Sequence, residues 1–337
     1  MSEQDVILLA HGSGGSMSHE LVERVFLRHL GNPILAALED ASLIPLPPGQ
    51  AAFTTDSYVV QPIFFPGGDI GRLAVCGTVN DLAMRGAQAL YLSAAFILEE
   101  GLAITDLERV VASMRAAAQE AGVSIVTGDT KVVEHGSADR MFITTAGVGI
   151  IPDGVRIAAA RAAPGDVVLL SGAIGDHGLT VMTQRQGLRF SGTLQSDSAP
   201  LNGLVQTMLQ VSHDIHVMRD PTRGGLATTL CEIASASCVG IELDENVIPI
   251  HEAVRVASEL LGLDPLYVAN EGKLIAIVPA RVAEQILAAM RAHPLGAEAA
   301  LVGRVVAEHP GRVALRTVLG TRRVLDMLSG EQLPRIC

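Results

Sequence analysis

Short apolar runs and helix-length amphipathic stretches alternate along the whole chain, and the alternation restarts once, near Pro152-Asp153-Gly154. A chain patterned this way buries sheets under helices and folds as α/β (α+β) units. At 337 residues there is room for about two of them. The expectation is an N-terminal domain over 1–152, a C-terminal α/β domain over 153–330, and a mobile tail over 331–337. Trp is absent and aromatics make up only 3%, so Val, Ile, Leu and Ala must fill the interior, as in open α/β sheets. Strands are expected over 53–60, 88–98, 123–127, 141–151, 167–170, 239–243, 274–278, 302–306 and 312–317. Helices are expected over 18–30, 69–85, 105–121, 224–237, 252–261 and 280–292, with another starting near His177. The helix over 105–121 carries a start signal, Thr105 as N-cap with Glu108 three residues on.

Net charge is −12, with no basic stripe, so nucleic acid is not an expected partner. An acidic protein that binds a polyphosphate needs backbone N–H groups and Mg2+ to offset repulsion. No apolar run approaches the roughly 20 residues that span a bilayer. The first residues carry acids rather than a basic region, so no signal peptide and a cytoplasmic setting are expected. The cysteines, Cys76, Cys231, Cys238 and Cys337, form no CxxC pair, which argues against a zinc ribbon or a disulfide framework. Cys76, Cys231 and Cys238 read as small buried core residues.

Four features carry chemistry. His11-Gly12-Ser13-Gly14-Gly15 permits close backbone approach and an anion nest, but equally a flexible terminus; no Gly-Lys-Ser/Thr follows, so it is not a Walker loop. Asp56, Asp81 and Asp129 each interrupt an apolar stretch, and a carboxylate there is hydrogen-bonded, desolvated or bound to a cation. Each alone also suits a turn or cap, Asp81 least, since Asp is a poor helix-interior residue. Ser171–Gly178 and Arg219–Leu226 lead into helices and suit either phosphate contact or ordinary turn chemistry. Asn270-Glu271-Gly272-Lys273 sets an acid and a base together before a strand. Finally, Cys337 is the last residue; it is either an accident of a frayed end or a thiol of great reach, with Pro334 stiffening its approach and Ile336 able to anchor it.

Taken together these strings resemble the HypE family of hydrogenase maturation factors. That family lies in the superfamily of aminoimidazole ribonucleotide synthetase, selenophosphate synthetase and thiamine monophosphate kinase. The likeness runs nearly end to end, and the Pro334-Arg335-Ile336-Cys337 ending is its most specific part. It implies a homodimer whose N-terminal sheets form a barrel, with the C-terminal domain closing over ATP. It implies that HypF carbamoylates Cys337, that the thiocarboxamide is dehydrated to a thiocyanate at the expense of ATP, and that the nitrile passes to iron on a HypC–HypD complex as a hydrogenase cyanide ligand. The resemblance puts His11, Gly12, Gly14, Gly15, Asn80, Thr130, Asp176, Asp220, Arg223 and Gly224 at the nucleotide. It makes Asp56, Asp81 and Asp129 the Mg2+ ligands, and Lys131 a phosphate or proton-transfer group. Glu271 is the first candidate for general base and His135 the second. Two rival readings are a kinase of a small phosphate acceptor and a non-catalytic scaffold that only presents the cysteine.

Overall fold

The computed structural model describes residues 6–188, 194–328, 330 and 335–337. Six strands form the first half: β1 (Gln50–Tyr58), β2 (Phe64–Phe65), β3 (Gly68–Asp69), β4 (Gln88–Glu99), β5 (Ser124–Val133) and β6 (Met141–Ile151). β2 and β3 make a small ribbon, and the others a four-stranded sheet in the order β1-β6-β4-β5. Only the β4–β5 pair is parallel. A broken N-terminal helix precedes the sheet: α1 (Ser16–Leu21), one π-helical turn (Val22–Leu27) and α2 (Arg28–Leu30). α3 (Ile70–Met84) and α4 (Ile104–Ala121) cover one sheet face. α3 is buried on almost every side because it is apolar all round, and Asp69 caps it by accepting from the Gly71 and Arg72 N–H groups. α4 starts one residue earlier than expected; Ala103 is its N-cap and Thr105 sits inside the first turn, so the expected cap is not formed.

The second half contains β7 (Asp166–Leu170), β8 (Val217–Arg219), β9 (Gly240–Asp244), β10 (Ile275–Pro279), β11 (Ala300–Val306), β12 (Val313–Arg316) and β13 (Arg322–Leu325). They form a seven-stranded sheet in the order β13-β12-β9-β11-β7-β10-β8, in which only β9–β12 is parallel. The helices are α5 (Asp176–Arg185), α6 (Asn202–Val211), α7 (Gly225–Ser237), α8 (Glu252–Leu261) and α9 (Ala280–Ala292). α7 packs on the β9–β12–β13 end of the sheet, while α9 packs on β7 and β10. The sheets are therefore mostly antiparallel, which makes the arrangement α+β, as the patterning allowed. The first sheet is open, with β1 and β5 at its edges, and no barrel closes among the described residues. No described helix is long and apolar enough to cross a membrane.

The junction of the two halves is packed. Ile336 from the chain end and Val181 of α5 join the N-terminal core, and Ala83 and Met84 of α3 join a core with α6 and α9 residues. Cys76 and Cys231 are buried as expected, but Cys238 is exposed: it ends α7 in the left-handed conformation, φ 53°, instead of continuing the helical face.

Candidate active site

Strand alternation and helix pitch build the centre. Thr54, Asp56 and Tyr58 point from β1 toward α3, and Asp81, well inside α3, meets them: the Thr54 hydroxyl donates to Asp81 Oδ2 at 2.7 Å. Burial first, then the nearby Asp56, raises the Asp81 carboxyl above its ordinary range. Asp220, in the loop after β8, is pushed up to about 7, by desolvation first and then by Asp81. Glu271 is buried, and among the described residues its Oε1 has no hydrogen-bond partner. Its carboxyl is held well above the carboxylate range by burial, then by Asp197, Asp220 and Asp56, with Arg223 opposing. These acids stabilise one another's protonated forms, the expected result of like charges crowded in a poorly hydrated place.

The chain end enters this cluster. Val59 N–H donates to the Cys337 carbonyl at 3.1 Å and Gln61 N–H to the Arg335 carbonyl at 3.4 Å, so the last residues run on the end of β1 like an added strand. Arg185 donates to the Arg335 carbonyl at 2.7 Å, and Arg335 pairs with Asp139. Ile336 is only 3% exposed, an anchor worth roughly 1.5–3 kcal/mol. Burial pushes the Cys337 thiol up to about 12, with Glu271 and Asp56 adding to the rise and Arg223 opposing it. Pro334 lies outside the described residues.

A second set of expected residues gathers elsewhere. His11, Gly12, Gly14, Asp129, Thr130 and Lys131 line part of a cavity of about 610 Å3 between the N-terminal segment and β5, whose interior is mostly apolar. Gly12 is required by close packing: a Cβ there would lie 2.7 Å from the Val132 nitrogen. Gly14 takes φ +81°, and its N–H already donates to the Ser18 hydroxyl, so the segment is a helix lead-in more than an open anion nest. Gly15 caps α1.

Several expected placements are corrected. Asp129 does not join Asp56 and Asp81 within one chain. It lies three strands from β1, about 14 Å at normal strand spacing, on the register row of Ser57 and therefore on the opposite face to Asp56. It is paired with Lys131 at 2.9 Å, which holds its carboxyl low. Among the described residues no three His, Cys, Asp or Glu side chains are grouped to hold a metal. His135 stands in solvent, 3.7 Å from Glu99, outside the buried cluster around Cys337. Asn80 is buried in the junction; its amide donates to the Ala199 and Glu271 carbonyls and accepts from Leu201 N–H, so it ties α3 to the Glu271 backbone. Asp176 is buried and paired with His251 at 3.0 Å. Gly224 caps α7 beside Arg223.

Two contributors escaped the sequence reading. Asp197 accepts from the Glu271 N–H at 3.1 Å and pairs with Lys273 at 3.2 Å, yet Ser196-Asp197-Ser198 looks like any polar loop. His177 bonds the chain end, and its only signal was its place in the Gly175-Asp176-His177-Gly178 string.

Comparison with known proteins bears on this geometry. Residues 38–151 match the AIR synthase related protein, N-terminal domain, and residues 163–316 match the AIR synthase related protein, C-terminal domain. A carbamoyl dehydratase HypE of Azotobacter vinelandii is 57% identical over 329 residues, 98% of this chain and 96% of the relative. The chain belongs to the HypE family of the AIR synthase superfamily. A crystal structure of hydrogenase maturation protein HypE in complex with ATP superposes with a TM-score of 0.95 at 56% identity, covering 98% of this chain and 99% of that one. A chain from a crystal structure of a HypE–HypF complex is 49% identical with a TM-score of 0.81, covering 91% and 99%. Membership of that family makes this a hydrogenase maturation protein.

Proposed function

We infer that the chain dehydrates a carbamoyl group carried on its own Cys337. The observation that carries the reading is the docking of that terminal thiol beside a buried, unpaired carboxyl group and an acidic pair at the foot of β1. HypF is the inferred carbamoyl donor, supported by likeness to a HypE chain crystallised with HypF. The HypC–HypD iron complex is the inferred acceptor, and the cytoplasm the inferred compartment.

The chemistry requires loss of an amide oxygen, a poor leaving group. In the proposed path the carbamoyl oxygen attacks the γ-phosphorus of ATP, the bond to the ADP oxygen breaks, and ADP leaves. The carbon–oxygen bond then breaks with phosphate as leaving group while nitrogen loses its protons, which leaves S–C≡N. Catalysis of such a step rests on positioning and charge neutralisation. Asp56 and Asp81 fit a magnesium ion, which takes one or two carboxylates when phosphates supply the rest and which neutralises phosphate charge. Glu271 is the base: its raised pKa makes it a strong proton acceptor once ionised, and Arg223 is the positive group that favours the ionised form. Lys131, beside Asp129, is assigned to phosphate neutralisation rather than to the sulfur.

The glycine-loop set and the Asp56 set stay apart in one chain, and Asp129 shares the outer sheet face with Phe53, which is 75% exposed. A homodimer joined through that face is therefore part of the reading, because a second copy can supply the groups that one chain keeps distant. Mass spectrometry of the C-terminal peptide tests the function. A sample carbamoylated by HypF should lose one water on addition of Mg-ATP. A carbamoyl group that survives ATP turnover would favour the scaffold reading, and ATP turnover indifferent to loss of Cys337 would favour the kinase.

A further inference from the structure

His177 is a fully buried histidine in the first turn of α5, and among the described residues it forms no ion pair with an acid. Its Nε2 lies 3.0 Å from the carbonyl oxygen of Ile336, and its Nδ1 lies 2.8 Å from Ser196 Oγ. A carbonyl only accepts, so Nε2 carries the proton, and in the neutral ring Nδ1 accepts from the serine hydroxyl. Burial favours that neutral ring by lowering its pKa. Ser196 is fixed in turn: its N–H donates to the Pro66 carbonyl at 2.9 Å, and its Oγ accepts from the Ser198 N–H at 3.2 Å. Phe65 meets the imidazole edge-on, with ring centres 5.5 Å apart. The ring is thus held by Ser196 and Phe65 before it touches the chain end.

The carbonyl it holds belongs to the peptide that joins Ile336 to Cys337. Fixing that plane fixes the N–Cα bond of Cys337, and with the Val59 bond to the main-chain oxygen beyond it φ is restrained as well, so the sulfur is confined to the few positions its χ1 rotamers allow. The bonds from Gln61 and Arg185 act two residues earlier in the chain, and the bond from Val59 acts on Cys337's own carbonyl beyond the side chain. We propose that His177 is a positioning residue: as a neutral donor to the Ile336 carbonyl, it aims the group borne by Cys337 at Glu271 and Arg223. This rests on the dehydration reading above for its consequence in catalysis, but not for its effect on the thiol.

The test uses full-length protein and two variants, His177→Leu, which removes both ring hydrogen bonds, and His177→Gln, whose amide nitrogen can still donate to the Ile336 carbonyl. In the first arm, Cys337 is alkylated in nucleotide-free protein. His177→Leu should label at least several-fold faster than wild type, and His177→Gln close to wild type. In the second arm, carbamoylated samples are mixed with saturating Mg-ATP. His177→Leu should lose water about tenfold more slowly, the rate equivalent of one lost hydrogen bond, with the KM for ATP unchanged, and His177→Gln should recover most of the rate. A folded His177→Leu that labels and dehydrates at wild-type rates overturns the proposal, as does a folded His177→Gln that behaves like His177→Leu in both arms. If wild type itself loses no water, the dehydration reading fails, and the alkylation arm still decides whether His177 aims the thiol.

Discussion

A buried carboxyl group with an unbonded oxygen, set among other acids, keeps its proton to unusually high pH, and Glu271, whose Oε1 has no partner among the described residues, is in that position. Glutamine at the same place resembles the protonated acid in size and charge. Glu271→Gln should therefore fold, dock its tail and accept a carbamoyl group, yet lose water about 10²–10⁴-fold more slowly, the usual contribution of a general base. Mass spectra of the carbamoylated variant after ATP addition check this, and a normal rate would place the base elsewhere. Asp220 carries a stability consequence. An acid whose pKa is higher folded than unfolded binds more protons when folded, so its contribution to stability falls as pH rises between the two values. For Asp220 that window runs from 3.8 to about 7. Asp220→Asn should accordingly raise the melting temperature of nucleotide-free protein at alkaline pH, by a margin that shrinks on acidification through the window. Thermal melts across pH measure it; a margin independent of pH would mean that Asp220 is not the burdened group.

At the scale of elements, residues 335–337 lie along the end of β1 and the residues just after it, held by backbone bonds from Val59 and Gln61, by side-chain bonds from Arg185 and His177, and by the buried Ile336. A thiol raised to about 12 is almost wholly un-ionised, and the thiolate is the nucleophile. On the proposed reading, the docked cysteine is the form that undergoes dehydration, and the chain end comes out to accept a carbamoyl group. Mg-ATP shifts this balance only if it interacts differently with the two positions. Alkylation of Cys337 should be slow without nucleotide and slower with Mg-ATP. Equal, fast labelling in both conditions, alongside full dehydration activity, would show that one exposed position serves every step. The elements differ in how plainly they were written. The helix at Ile70–Met84 and the strand at Met141–Ile151 follow from long apolar patterns. The α4 start was misplaced because Thr105 mimics a cap, and α6 and β13 were missed because neither their periodicity nor their turn residues stand out locally.

At the scale of the molecule, an open four-stranded sheet leaves Phe53 75% and Ile97 42% exposed on β1 and β4. An unpaired edge beside such a face is a liability unless something covers it. A second copy covering it would bury Phe53 twice across a two-fold axis, at about 1.5–3 kcal/mol per ring. Phe53→Asp should turn a dimer into a monomer in sedimentation velocity runs while the thermal unfolding of the C-terminal half is little changed. A variant that stays dimeric would place the interface elsewhere.

What this sequence determined by itself was local and periodic: the two successive strand-and-helix sections, the acid buried in α3, and the ending whose likeness to HypE singled out Cys337. Those follow from apolar spacing, turn chemistry and strings of neighbours, all readable along one chain. Tertiary structure decided which distant residues meet. It put Glu271 and Asp220 beside Asp56, sent Asp129 and Lys131 to another cavity, tied Asn80 to the Glu271 backbone, and brought Asp197 and His177 into play. The physical reason is that strand order and face are set by how whole sheets bury their apolar sides. A row shift of one residue moves an aspartate to the opposite face, and nothing in the local string records which face that will be.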